Sequence, residues 1–340
     1  MARAIALLRA LATAYRRDWT AVQSLVGNNF FLLTAFFLGK AGTFIYLIMG
    51  LVVLFPLSTD PLRKVPASRL PLWPLERREW WLLRLASPWI NPMTWAIVAL
   101  AAWAAGRTVT VSLWALIAGL FVAAFLISAL PLPSGGGFWR SVPQFPVRLN
   151  QLVRKNVREM LSTLDFYCAA ILSAAMLAYR CFGPPLPREA LMAMTFLAIG
   201  ALSSYAQCLF GLDGDGGLSR YRLLPVSGWQ LLLAKDAAFL VVLIPLLLPL
   251  APMAGFGGAL MVLAVGHSPS VRQPREQTRW RFTTGATLGN GLVQMIAMTM
   301  TVSAIFSTSL WFLAAAVAVW AGSLWWYGRE LDREGRAIAL

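Results

Sequence analysis

The chain has 340 residues, of which 59% are hydrophobic and 13% charged, against roughly 45–50% and about 25% in a soluble globular domain. So apolar a composition cannot supply polar shells for the two or three soluble domains its length would otherwise suggest, and it points to an integral membrane protein. The net charge of +15 then has a topological origin, because cytoplasmic loops collect Lys and Arg; no nucleic-acid-binding motif accompanies it. Three cysteines, Cys168, Cys181 and Cys208, argue against a disulfide framework or a Cys-based zinc site, and are expected to be small buried apolar residues.

In chain order, residues 1–20 predict a basic interfacial helix. Ile5, Leu8, Leu11, Ala12 and Tyr15 share one face, with Arg9, Arg16 and Arg17 toward the other. Arg3 and Arg9 break the apolar run that a cleavable signal peptide would need. Runs long enough to span the bilayer follow, about ten in all. A hairpin is expected over 23–57, turning at Gly39 and Lys40, and a second over 93–106 and 108–131. A second basic amphipathic segment, 147–161, precedes crossings at 163–180 and 188–210. A proline- and glycine-rich hairpin covers 236–267, and a last pair covers 284–305 and 308–327. With both long stretches read as hairpins, the two termini and the loops 58–92, 132–162, 211–235 and 268–283 all fall on the cytoplasmic side. Of the 29 Lys and Arg, only Lys40, Arg107, Arg180 and Arg188 then lie outside, as the positive-inside rule requires. The expected place is the plasma (inner) membrane.

The chain reads as an internal repeat. The first transmembrane repeat is 1–131, the second is 132–267, and 268–340 adds a cytoplasmic loop, a C-terminal hairpin and a tail. At an offset of 151, RLPLWPLERREWWLLR over 69–84 lies on RYRLLPVSGWQLLLAK over 220–235. Pro74 meets Pro225, Leu75 meets Val226, Glu79 meets Gln230 and Arg84 meets Lys235. Each proline is expected in the first turn of a short cytoplasmic helix, with Ser227 or Ser219 as a cap in the second copy. Each helix is expected to run into the next crossing and to place its basic residue at the membrane surface.

Residues 209–236, LFGLDGDGGLSRYRLLPVSGWQLLLAKD, resemble the cytoplasmic loop of permease subunits of ABC-2-type exporters. Phe210, Gly211, Asp213, Gly214 and Gly217 match its glycine-rich part; Leu223, Leu224, Pro225, Val226, Ser227, Leu233, Ala234 and Lys235 match its second part. The first-half string is similar to the corresponding loop, so that Pro74, Leu75, Glu79 and Arg84 join the candidate coupling residues. Gly266, Ser270, Pro274 and Arg275 loosely resemble a later loop, and the first basic helix looks like the family's elbow helix. The resemblance implies a transport subunit that is not itself an enzyme. Its partners would be a separate ABC ATPase subunit acting as a dimer, membrane lipid, and in some arrangements a second permease copy or a paralogue. No G-x-x-x-x-G-K-[ST] loop occurs, so ATP and magnesium would belong to the partner.

Other constellations carry less. The acidic glycine run at 213–217 lacks the later Glu of a calcium loop and reads as a turn. Asp165 and Asp236 are expected at the cytoplasmic edges of crossings. Gln207, Asn290 and Gln294 are the substrate candidates, although buried amides more often join helices. An intramembrane protease would need a facing Ser and base, or H-E-x-x-H; the single histidine, His267, lacks that pattern and is expected at the interface. A non-transporting membrane scaffold or regulatory subunit of an ATPase complex would use the same loop.

Overall fold

The computed structural model describes residues 2–17, 62, 72–90, 122, 149–182, 188–213, 217–222, 225–277 and 287–339. The expected crossing hairpin at 23–57 and, apart from Val122, that at 93–131 lie outside these residues, as do Gly214 and Leu224. Every regular element among the described residues is helical. The chain divides into two units, Met1–Leu132 with Trp280–Phe282, and Pro133–Arg279 with Thr283–Leu340.

In the first unit, α1 (Ala2–Arg17) packs on α2 (Arg77–Ala86) and on the 3-10 turn Ser87–Ile90 that continues it. Ala4 of α1 is buried, whereas Ile5 on the expected apolar face is exposed. Arg3 donates to the Pro74 carbonyl at 3.3 Å. Trp73 stacks on Trp80 at 6.2 Å, and the Arg84 guanidinium lies 5.6 Å from the Trp80 ring.

The second unit begins with α3 (Asn150–Met160), the expected basic amphipathic helix, which buries Val153, Val157 and Met160. The chain then bends by 77° into α4 (Leu164–Phe182). Helix α5 (Arg188–Gln207) is buried over most of its length and leads through a 3-10 turn, Gly211–Asp213, to the short α6 (Gly217–Arg222). The proline-rich stretch forms a helical hairpin of α7 (Gly228–Leu247) and α8 (Pro252–Arg272). Pro245 lies in the last turn of α7 and Pro252 opens α8, where a missing N–H costs nothing. Helices α9 (Leu288–Ser307) and α10 (Trp311–Ala339) complete the bundle.

Helix α8 is the hub, in contact with α5, α7, α9 and α10. Two glycines explain how so many neighbours fit. A Cβ on Gly266 would lie 2.1 Å from the Ala206 carbonyl oxygen, and one on Gly258 would lie 2.4 Å from Val302 Cγ2. Small residues let helices approach closely where dispersion, not water exclusion, holds them together.

Among the described residues four helices are long and apolar enough to cross a membrane: Ala190–Gln207, Gly228–Leu247, Pro252–Arg272 and Gly289–Ser307; the bent pair α3 and α4 makes a fifth if it is one span. The outer face of α9 exposes Val293, Ile296 and Met300, and α10 exposes Trp311, Val317 and Val319. Length, composition and this apolar exterior make the chain a helical membrane protein.

The local structure corrects several expectations. Pro74 and Pro225 are not first-turn residues; each sits two positions before an N-cap, Glu76 or Ser227. Gly266 and Ser270 belong to α8, not to a loop. Cys168 and Cys208 are buried, but Cys181 is exposed.

The glycine packing is directly testable. Gly266→Ala should destabilise the purified protein by about 1–3 kcal/mol through overpacking, read as a lowered melting temperature in detergent. Gly322→Ala, in α10 with nothing within 4 Å of the added carbon, should instead stabilise by about 0.5–1 kcal/mol, the usual gain of replacing a helical glycine.

Candidate functional site

The two copies of the repeated string begin their helices in the same way. In α2 the Glu76 N–H donates to the Glu79 carboxylate at 3.4 Å; in α7 the Ser227 N–H donates to the Gln230 carboxamide oxygen at 3.2 Å. Glu79 and Gln230 are the residues matched by the repeat, and both act as the third helical residue of a capping box, reaching back to the cap. The Ser227 hydroxyl itself has no partner. Leu75 and Val226 are half-buried beside the exposed Pro74 and Pro225.

The copies differ at their basic residue. Lys235 is enclosed by other side chains and is 0% exposed. Its ammonium donates to Asp213 Oδ2 at 2.6 Å and sits 5.5 and 5.2 Å from the rings of Phe210 and Tyr221. Asp213 Oδ1 accepts from Lys155 of α3 and, at 2.7 Å, from the Tyr221 hydroxyl of α6; Lys155 also lies 2.8 Å from that hydroxyl and pairs with Glu159 at 3.7 Å. One carboxylate thus joins α3, α6 and α7. Burial on its own would raise the Asp213 carboxyl, but the Lys235 charge, with hydrogen bonds from Lys155, Lys235 and Tyr221, holds it below the usual carboxylate range. Burial, and then donation to Asp213, push the Tyr221 hydroxyl up, so it remains a donor.

The loop carrying Asp213 is fastened from behind. The Gln277 N–H donates to the Gly211 carbonyl at 3.0 Å, and a Cβ on Gly211 would lie 2.5 Å from the Arg275 carbonyl oxygen, so only glycine fits. Ser270 Oγ accepts from Leu209 N–H and donates to the Ala206 carbonyl. Gly217 opens α6.

A second polar cluster lies on the other side of α7. Asp236 is wholly buried and accepts from Trp320 Nε1 at 2.7 Å; its carboxylate is 3.0 Å from Nε2 of His267, which is also wholly buried. Both side chains are enclosed within the bundle, where each supplies the partner the other needs. Ser323 spends its proton on the Ala264 carbonyl and lies 2.9 Å from His267 Nδ1, so Nδ1 is the donor there.

Asp165, likewise buried, accepts from Ser204 and from Gln277 Nε2. The three amides divide. Gln207 Nε2 donates to Gln294 Oε1 at 2.7 Å, and Gln294 Nε2 donates to the Val262 carbonyl at 2.8 Å, so these two join α5, α8 and α9. Asn290 gives its backbone N–H to the cap Thr287. Among the described residues no three His, Cys, Asp or Glu side chains are grouped to hold a metal. Nothing in the sequence pairs Lys155 with Asp213, or His267 with Asp236; the one available signal was an ionisable residue inside an apolar run, which demands a counter-ion.

Asp213→Asn leaves the Lys235 ammonium buried without its anion and should cost about 3–5 kcal/mol, while the double variant Asp213→Asn/Lys235→Met should recover most of that loss; thermal unfolding in detergent reads both. Because the folded state holds Asp213 below its ordinary value of about 3.9, its stabilisation is complete above that pH and is lost as pH falls through the lowered value. The acid limb of the stability profile should flatten in Asp213→Asn.

No family model matches the chain, and no curated protein or solved structure is significantly similar to it.

Proposed function

We propose that the protein is the membrane-spanning permease subunit of an ATP-driven ABC-type exporter, coupled to a separate ATPase dimer that supplies ATP and magnesium. The observation that carries this reading is the Asp213 junction. It ties α3, which corresponds to an elbow helix, and the 209–227 loop to the start of α7, a helix that runs without interruption into an apolar span. A displacement applied to the loop's exposed rim, at Pro225 and Trp229, would tilt α7 instead of dissipating in a flexible connection. Coupling then means that ATP-driven closure of the partner moves this rim. The matching cap in α2 gives the first repeat an equivalent lever at Pro74, Leu75 and Glu79. The topology belonging to this reading has about ten crossings, both termini cytoplasmic, in the inner membrane.

One observation favours the second reading, a membrane scaffold that tethers an ATPase without transport: Gln207 and Gln294 are committed to each other and do not offer free amides to a substrate.

Two experiments test these statements. The protein should co-purify in detergent with an ATPase encoded beside it, and Trp229→Asp should reduce recovery by about tenfold, the equivalent of 1.4 kcal/mol, without altering helical content. Recovery with no ATPase, or recovery unaffected by that substitution, removes the coupling role. ATPase recovery without ATP-dependent efflux selects the scaffold. Orientation follows from thiol labelling. Cys181 is exposed, whereas Cys168 and Cys208 are buried and shielded from a labelling reagent. Cys181 and an introduced Pro225→Cys, at an exposed position of the loop, should react from opposite sides of the membrane.

A further inference from the structure

Helix α10 is uncharged from Trp311 to Gly328 and then abruptly charged, beginning with Arg329 and Glu330. Helix α8 ends at the same level: Arg272, in its last turn, forms a forked pair with Glu330, with Nε 2.8 Å from Oε1 and Nη2 3.2 Å from Oε2. A cleft of about 280 Å³ opens there, lined by Arg272, Trp325, Trp326, Arg329, Glu330 and Arg333. Residues 325, 329 and 333 recur every four positions, so Trp325, Arg329 and Arg333 form one row along α10.

The side chains of this cleft are held in place. The Arg329 guanidinium lies 4.5 Å from the Trp325 ring centre, and that of Arg272 lies 5.4 Å from the Tyr327 ring, so cation–π contacts orient two of the three guanidiniums. The three arginines face one carboxylate, which leaves the cleft with an excess of two positive charges. Trp325 and Trp326 are 55% and 59% exposed, as expected of indoles at the height of the headgroups. Below them the outer face of α10 continues through exposed Val319 and Val317, an apolar track for an acyl chain.

We infer that this cleft is a binding site for the phosphate headgroup of an anionic phospholipid. Guanidinium forks match phosphate oxygens geometrically, the indoles mark the depth of the glycerol region, and the adjoining apolar track suits lipid better than a water-borne anion. The cleft also lies where α10 meets the start of α7, since Asp332 Oδ1 accepts the Gly228 N–H at 2.6 Å and a Cβ on Gly328 would lie 2.6 Å from Trp229 Cα. A lipid held here would brace the end of α7. The inference requires only that the protein is embedded in a bilayer, and it stands or falls independently of the transport reading.

The test uses the full chain in detergent, with palmitoyl-oleoyl phosphatidylglycerol, the corresponding phosphatidylcholine and inorganic phosphate as probes, and native mass spectrometry as the readout. Phosphatidylglycerol should be retained in preference to phosphatidylcholine. Arg329→Gln/Arg333→Gln should weaken its retention by about tenfold or more, because each basic residue at an anionic surface adds to the attraction, while Arg78→Gln should leave it unchanged. Glu330→Gln should strengthen retention, a gain that misfolding cannot imitate. Equal retention of the two lipids, or no response to either the arginine or the Glu330 substitution, overturns the proposal. So does displacement of phosphatidylglycerol by millimolar inorganic phosphate, which would identify a site for a free anion.

Discussion

A lysine with no exposed surface, about two turns into an apolar helix, is the constraint from which the second unit is organised. Lys235 can stay charged in that position only if an anion comes to it, and Asp213 does so at 2.6 Å. An isolated buried ammonium would cost several kcal/mol; the aspartate removes that penalty only if its remaining oxygen is also satisfied, which is the work of Lys155 and Tyr221. The 209–213 loop must therefore lie against α7, and α3 must lie against both. Asp236, the next residue along, faces the other way and is answered by His267 and Trp320. Consecutive helical residues point about 100° apart, so the adjacent opposite charges bind α7 to two different layers of the bundle.

Between these polar ties the packing is carried by small residues. Helix α8 touches four neighbours because its glycines leave no side chain between backbones, and hydrogen bonds from Gln207, Gln294, Ser270 and Ser323 add polar links between the helices. Such hydrogen bonds contribute modestly in a bilayer, on average about 0.6 kcal/mol. Their number and placement matter more for register than for total stability. The substrate candidates of the sequence are largely used in this way, which moves attention from the bundle interior to its charged rims.

The repeat is physically meaningful where it is local. Glu79 and Gln230 occupy one helical position and make one kind of hydrogen bond, because a capping box requires only four consecutive residues. Arg84 and Lys235 occupy one sequence position but different environments, a half-buried guanidinium beside an indole in one copy and a fully buried ammonium in the other. The repeated string therefore conveys how each helix begins, while what each helix carries depends on the rest of its unit.

What the sequence determined by itself follows from properties legible in short windows. Apolar composition fixed the membrane environment, run length placed α4, α5, α9 and most of α10, prolines and glycines marked the α7–α8 turn, and amphipathic spacing located α1 and α3. The tertiary structure decided the partners of the ionisable residues. Asp213 finds Lys155 across 58 positions, Gln277 finds Asp165 across 112, and Arg272 finds Glu330 across 58. No periodicity encodes such distances, because which side chains meet is set by the order and tilt of whole helices. For the same reason no short window of sequence shows that His267 and Lys235 are wholly buried among other side chains.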